Sequence, residues 1–245
     1  MNELARQRLR SKVKRLESPT TDFESLLAPR PADVSPSLGD QAYKALEELL
    51  VTAKLAPGSI WSEPGLSALT GFGRSPIREA LQRLTSDHLV VPLRRHGFRI
   101  TEVQVEEQLL VLEARRELER LVSVFAARRA SAAERETHIE VARLLRRAGD
   151  DRDALRYLRL HFALKRFTAA SARNPFIASA LSPLHALSRR FFYVHRDRFG
   201  DLTEVAGLHA DLAESIGRGD EESAATCCDA MTGYAVEFTR RIVLG

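Results

Sequence analysis

Apolar positions along this chain recur in two patterns, and the change from one to the other divides it. From Asp40 onward, Ala42, Leu46, Leu49, Leu50 and Ala53 return every three or four residues, the spacing that lines one face of a helix. This helix ends before Ala56-Pro57-Gly58, where ring and glycine both stop helical propagation. A shorter helix over residues 63–69 carries Leu66 and Leu69 and stops at Thr70-Gly71. A third, over 74–84, sets Ile77, Ala80, Leu81 and Leu84 on one side. Two extended runs follow, 89–93 and 98–101, on either side of Arg94-Arg95-His96-Gly97, a hairpin signal. Three helices and then a hairpin is the order of a winged helix-turn-helix.

Beyond Thr101 the helical period takes over completely. Residues 106–130, 132–147, 153–172, 175–195, 203–216 and 221–243 all read as amphipathic helices. Their joints are short and polar: Gly149-Asp150-Asp151, Arg198-Phe199-Gly200-Asp201 and Gly217-Arg218-Gly219-Asp220. No fixed repeat runs through them, which argues against a solenoid. The predicted fold is mainly α: a winged helix-turn-helix over 40–103, then an all-α antiparallel helical bundle over 104–245. Residues 1–39 show neither period. Residues 1–16 hold Arg6, Arg8, Arg10, Lys12, Lys14 and Arg15 against Glu3 alone, and the rest is rich in Pro, Ser, Thr and Asp. This segment reads as a basic arm and flexible linker, or equally as a solvated tail.

Composition changes the picture little. The 245 residues are 44% hydrophobic and 29% charged, ordinary for a chain that buries a core. No apolar run approaches the ~18 residues of a membrane span and no signal-peptide core opens the chain, so no membrane partner is expected. The two cysteines, Cys227 and Cys228, are adjacent and offer neither a disulfide framework nor metal-ligand spacing; a reducing cytoplasm fits. The net charge of +4 permits a polyanionic partner without demanding one.

The distribution of charge says more. Between Gly73 and Arg99 six arginines stand against Glu79 and Asp87. On the third helix Arg74, Ser75, Arg78, Gln82 and Arg83 lie opposite the apolar side, and Pro76 suits a first turn. Free N–H groups and the positive end of the helix dipole already favour an anion there, and an arginine fork matches a phosphate or a guanine edge. The hairpin tip Arg94-Arg95-His96 is cationic too, and Gly97 lets the backbone approach a groove. Singly, a basic helix is a solvated face; turn, helix and basic hairpin in this order point to double-stranded DNA.

The run Pro57-Gly58, Leu66-Ser67-Ala68-Leu69, Gly73-Arg74-Ser75-Pro76-Ile77-Arg78-Glu79-Ala80-Leu81-Gln82-Arg83-Leu84 and Arg95-His96-Gly97-Phe98 resembles the DNA-binding domain of the GntR family of bacterial transcription regulators. The resemblance implies that Arg74 and Arg78 read or clamp operator DNA and that the wing, at His96 and Gly97, enters the minor groove. The chain departs from the family pattern at Gly73, which lacks a capping hydroxyl, at Pro64, where a basic or polar residue is frequent, and at His88, which replaces a frequent glycine at the helix exit.

More loosely, Leu112-Glu113-Ala114-Arg115-Arg116-Glu117-Leu118-Glu119 with Phe125-Ala126-Ala127, then His161, Ala172-Arg173-Asn174 and Leu208-His209, is similar to the FCD effector domain of the FadR subgroup. That resemblance implies a homodimer, a small organic-acid-like effector and, in many members, a divalent metal held by one Asp or Asn and three His. Here His161 and His209 match two histidines, Tyr157 takes the carboxylate position, and the third histidine position falls near Met231, with Tyr234 one turn on. Two of four ligands are missing, so no cofactor is assigned, and His161 and His209 stand as a minimal metal pair or as polar pocket lining.

Arg115 is the candidate partner for an effector carboxylate, or else the partner of Glu119 at i,i+4. Asn174, before Pro175, is an effector contact or a helix cap. The expected function is a ligand-responsive repressor, not an enzyme, binding a palindromic operator as a homodimer. An architectural or weakly specific DNA binder is the alternative that the basic arm supports, and a metal-dependent enzyme on the bundle is a remote one.

Overall fold

The computed structural model describes residues 36–198 and 200–244, apart from the side chains of residues 243 and 244. The basic arm therefore lies outside the described residues. The chain divides into two compact units, one including residues 36–103 with Arg189–Val194, the other Gln104–Ser188 with the residues after Val194.

In the first unit, α1 (Leu38–Val51) is followed by β1 (Ile60–Trp61), α2 (Glu63–Thr70), α3 (Arg74–Ser86), β2 (Val90–Leu93) and β3 (Gly97–Ile100). Helix α1 begins before Asp40, inside the predicted linker. Ser37 accepts from the Asp40 N–H while the Asp40 carboxylate accepts from the Ser37 N–H, a capping box that supplies the start. Leu46, Leu50, Leu66, Ile77, Leu81 and Leu84 are buried, as are Leu89, Val90 and Ile100, and α3 packs against α1, α2 and β2.

The hairpin carries a third strand that periodicity did not predict, since two residues are too few to show a period. Strand β1 pairs antiparallel with β3, Trp61 opposite Phe98, giving the order β1-β3-β2. Pro92 sits on β2, an edge strand, where a missing donor is tolerated.

The second unit is helical: α4 (Val105–Arg129), α5 (Ala132–Asp150), α6 (Ala154–Ser171), α7 (Pro175–Val194, ending in the first unit), a 3₁₀ turn (Arg196–Arg198), α8 (Leu202–Arg218) and α9 (Glu221–Leu244). Helix α8 packs on α5 and on α9, and α9 on α4. Val122, Ala126, Ala127, Leu181, Leu212, Ile216 and Cys228 form a shared apolar cluster.

Both glycine-bearing joints expected around α5 and α8 begin later than predicted. Gly149 is inside α5, where a Cβ would come within 2.9 Å of the Ala206 Cβ, so it serves close helix contact rather than a turn. Gly217 likewise remains inside α8, and that helix ends at Gly219 in the left-handed conformation.

Candidate nucleic-acid interface and effector site

Helix α3 is reached through a turn made by Gly71, which caps α2 at φ +83°, and by Gly73, which is the N-cap of α3 and gives it no side-chain bond. The first N–H groups of α3 therefore lack a capping hydroxyl, as the departure at Gly73 implied. Ile77, Ala80, Leu81 and Leu84 face the core, and Arg74, Ser75, Arg78 and Gln82 are exposed.

The two acids of the segment are turned elsewhere. Glu79 packs its carboxylate against Gly39 in the first turn of α1, and Asp87 accepts from the Tyr43 hydroxyl at 2.7 Å. Arg83 is tied as well: it bonds Asp40 at 2.7 Å and lies over the Tyr43 ring. What is left outward is a cationic face in which Glu79 and Asp87 are engaged with α1.

Arg78 has a partner that sequence reading missed. Glu63, in the first turn of α2, accepts from its Nη2 at 3.1 Å and, more loosely, its Nε at 3.5 Å. Both groups remain accessible, so the contact orients the guanidinium at small energetic cost. The spacing of 15 residues has no helical or strand period, which is why no pattern pointed to it.

At the hairpin tip Arg94, Arg95 and His96 are exposed. The His96 N–H closes a turn onto Leu93 O, its Nδ1 lies 2.8 Å from Arg94 O, and Arg95 takes φ +67°. Gly97 has a structural role as well. Its φ is +90°, and a Cβ there would meet the Trp61 carbonyl oxygen at 2.3 Å. Glycine is demanded here by a close approach to strand β1 within the protein. His88, at φ +60° after α3, occupies the left-handed position that glycine usually fills.

The helical unit gathers most of the other predicted residues. On α4, Arg115 is 5% and Glu119 3% exposed, and Arg115 Nε and Nη2 both donate to Glu119 Oε1, at 2.9 and 2.6 Å. The i,i+4 pair is present, but it faces inward. Two residues left out of the candidate site complete it: Lys165 on α6 donates to Glu119 Oε2 at 2.7 Å, and His185 on α7 lies 2.8 Å from Oε1. Lys165 follows Tyr157 and His161 at the same four-residue step, a signal present in the sequence but masked by lysine's usual place at the surface.

Beside this network stand Tyr157, His161 and His209. The two imidazole centroids are 4.2 Å apart, the Tyr157 ring stacks on His161, and its hydroxyl lies 3.3 Å from His209 Nδ1. His209 Nδ1 is also 2.8 Å from the Val205 carbonyl, which can only accept, so the neutral ring carries its proton on Nδ1. His161 Nε2 is buried without a hydrogen-bond partner. The Tyr234 ring lies 5.9 Å from the Arg241 guanidinium. Asn174 is not brought into the cluster; its Oδ1 accepts from the N–H groups of Phe176 and Ile177 and caps α7.

Electrostatics divides the cluster by charge. Burial pushes the Glu119 carboxyl up, but Arg115, then Lys165 and His185, outweigh it and hold the group well below the ordinary carboxylate range. Burial, then His209 and Lys165, pushes His161 far down; burial and Lys165 take His209 down to about 3; burial lowers His185 against the opposing pull of Glu119. All three imidazoles are therefore neutral near pH 7. Among the described residues, no group of three or more His, Cys, Asp or Glu is arranged to hold a metal ion.

An N-terminal winged helix-turn-helix joined to a helical bundle with a buried polar cluster is the architecture of a two-domain regulator. Residues 38–100 match the model of bacterial regulatory proteins of the gntR family, and residues 110–232 match the FCD domain. The chain belongs to the GntR family of transcriptional regulators and carries the FCD domain of its FadR subgroup.

A curated relative, the uncharacterized HTH-type transcriptional regulator YdhC of Bacillus subtilis (strain 168), is 33% identical over 81 residues. Those residues are 33% of this chain, and the match spans 36% of that relative's length. The solved structure of E. coli McbR/YncC is similar in fold, with a TM-score of 0.74 at 18% identity over 85% of this chain and 100% of that one. A chain from Rhodococcus sp. RHA1 described as a GntR transcriptional regulator superposes with a TM-score of 0.63 at 18% identity, over 83% and 98% of the two chains. No helix among the described residues is long and apolar enough to cross a membrane.

Proposed function

We propose that two copies of this chain bind a near-palindromic operator in double-stranded DNA and repress the adjacent genes until a small organic acid occupies the helical domain. The observation that carries this reading is the exposed face of α3, whose arginines look outward while Glu79 and Asp87 are engaged elsewhere. Arg74, Ser75, Arg78 and Gln82 are the groups for the major groove, and Arg94, Arg95 and His96 are those of the wing. A homodimer sets two recognition helices on successive turns of the duplex.

Arg115, Glu119, Tyr157, His161, His209 and Tyr234 belong to the effector site, and an effector with different affinity for the DNA-competent and incompetent states shifts operator binding by that difference. Selection from random DNA returns a palindromic motif, and on that motif Arg78→Ala loses ~1–3 kcal/mol of specific binding in a gel-shift titration. Unchanged affinity would remove Arg78 from the interface. A selection that returns no motif, with binding abolished by deletion of residues 1–16, would favour the architectural reading instead.

A further inference from the structure

The metal that the FCD resemblance implies does not fit the residues present. Zinc-type sites take four donors from Cys, His, Asp and Glu. Here the carboxylate position holds Tyr157, and the third histidine position falls near Met231, whose Sδ accepts from the Lys165 ammonium at 3.2 Å. Lys165 is 8% exposed and acts on both His161 and His209. A divalent cation between these histidines would face a fixed like charge at close range, with two donors missing.

The charges in the helical unit do not balance. Glu119 is the one buried acid among the described residues, and it serves two buried cations, Arg115 and Lys165. The adjoining imidazoles contribute no negative charge. A buried positive charge without a counter-ion is costly, and one more anion would relieve it. A second, independent feature points to the same place: His161, 7% exposed, keeps Nε2 buried and unpartnered beside the same ammonium. An unsatisfied buried polar atom of this kind costs stability unless a ligand completes it.

We propose that this cluster is a metal-independent anion site, in which the Lys165 ammonium supplies the positive charge and His161 Nε2 the directed hydrogen bond for one small monocarboxylate. Glu119 holds Lys165 and Arg115 in place and is a positioning residue. The proposal rests on the effector reading above for its biological meaning but not for its chemistry.

The test is the melting temperature of the full chain in sodium acetate, propionate and benzoate. Sodium chloride at equal ionic strength and neutral acetamide are the controls, each run with EDTA and with nickel chloride. The expected result is a melting temperature that rises with the logarithm of carboxylate concentration, survives EDTA and is absent in acetamide. Lys165→Met loses the rise, Lys165→Arg keeps part of it, and His161→Phe weakens the carboxylate about tenfold, one hydrogen bond's worth. Circular dichroism reports folding of each variant, and if Lys165→Met does not fold, the wild-type comparison of acetate, acetamide, EDTA and nickel still decides.

No rise with any of the three carboxylates overturns the proposal, and so does a rise that needs nickel. A metal-free rise that leaves operator binding unchanged keeps the anion site and removes its role as effector site. A nickel-dependent carboxylate that alters operator binding does the reverse.

Discussion

The two units of this protein use arginine and lysine in opposite ways. On α3 and the wing, cations stand in solvent, and the acids near them are exposed or half-exposed too, Glu63 against Arg78 and Asp40 against Arg83. In the helical unit, Arg115 and Lys165 are buried around one carboxylate. Water screens the first set, so its charge acts on a partner that arrives from solution and loses strength with added salt. The second set is shielded from water, so each charge answers to its immediate neighbours. The first set has the exposure that a polymer arriving from solution requires, and the second does not.

The largest effect expected from breaking this contrast is at Glu119. Glu119→Gln leaves two buried cations without their counter-ion and should destabilise the chain by about 3–5 kcal/mol in urea unfolding. A loss under about 1 kcal/mol would mean that water reaches the cluster freely.

Next is acidification. His209 is held at about 3 when folded, against 6.5 when unfolded, so the unfolded chain binds more protons between those values. Its contribution to stability is complete above pH 6.5 and is lost as the pH falls towards 3. At pH 5 this one group lowers stability by about 2 kcal/mol, and His209→Phe should flatten the curve over that window. A wild-type stability that does not change between pH 7 and 5 would contradict the buried neutral imidazole.

Gly97→Ala must place a Cβ against the Trp61 carbonyl oxygen and hold a positive φ. A cost of ~1–3 kcal/mol to the N-terminal unit is expected, read from its thermal unfolding. The smallest effect falls on the exposed side: Glu63→Gln removes the partner of Arg78 and leaves the thermal unfolding of the N-terminal unit essentially unchanged, because solvent screens the pair. Its larger signature is in operator discrimination, because Arg78 is then less firmly oriented; unaltered discrimination would make Glu63 a bystander.

Much of this was legible in the residues. The helices on either side of Gly71 and the basic string Arg74 to Arg78 follow from period, punctuation and charge, all local properties. Helix ends were less legible where a glycine serves packing. Gly149 and Gly217 read as turns, yet each sits inside a helix that approaches another closely. The pairs Glu63 with Arg78, Lys165 with Glu119 and His185 with Glu119 join different helices, and no period relates such positions.

Local interactions thus settle where this chain forms helices and hairpin, because hydrogen bonding and apolar periodicity act over a few residues. The environment of each charge is another matter. Lysine and arginine carry the same formal charge in a linear string, and whether it is exposed or enclosed depends on which helices meet. Arg115 read as the partner of an effector carboxylate or of Glu119 until α4, α6 and α7 came together; their packing removes the water and joins the i,i+4 pair to Lys165 and His185.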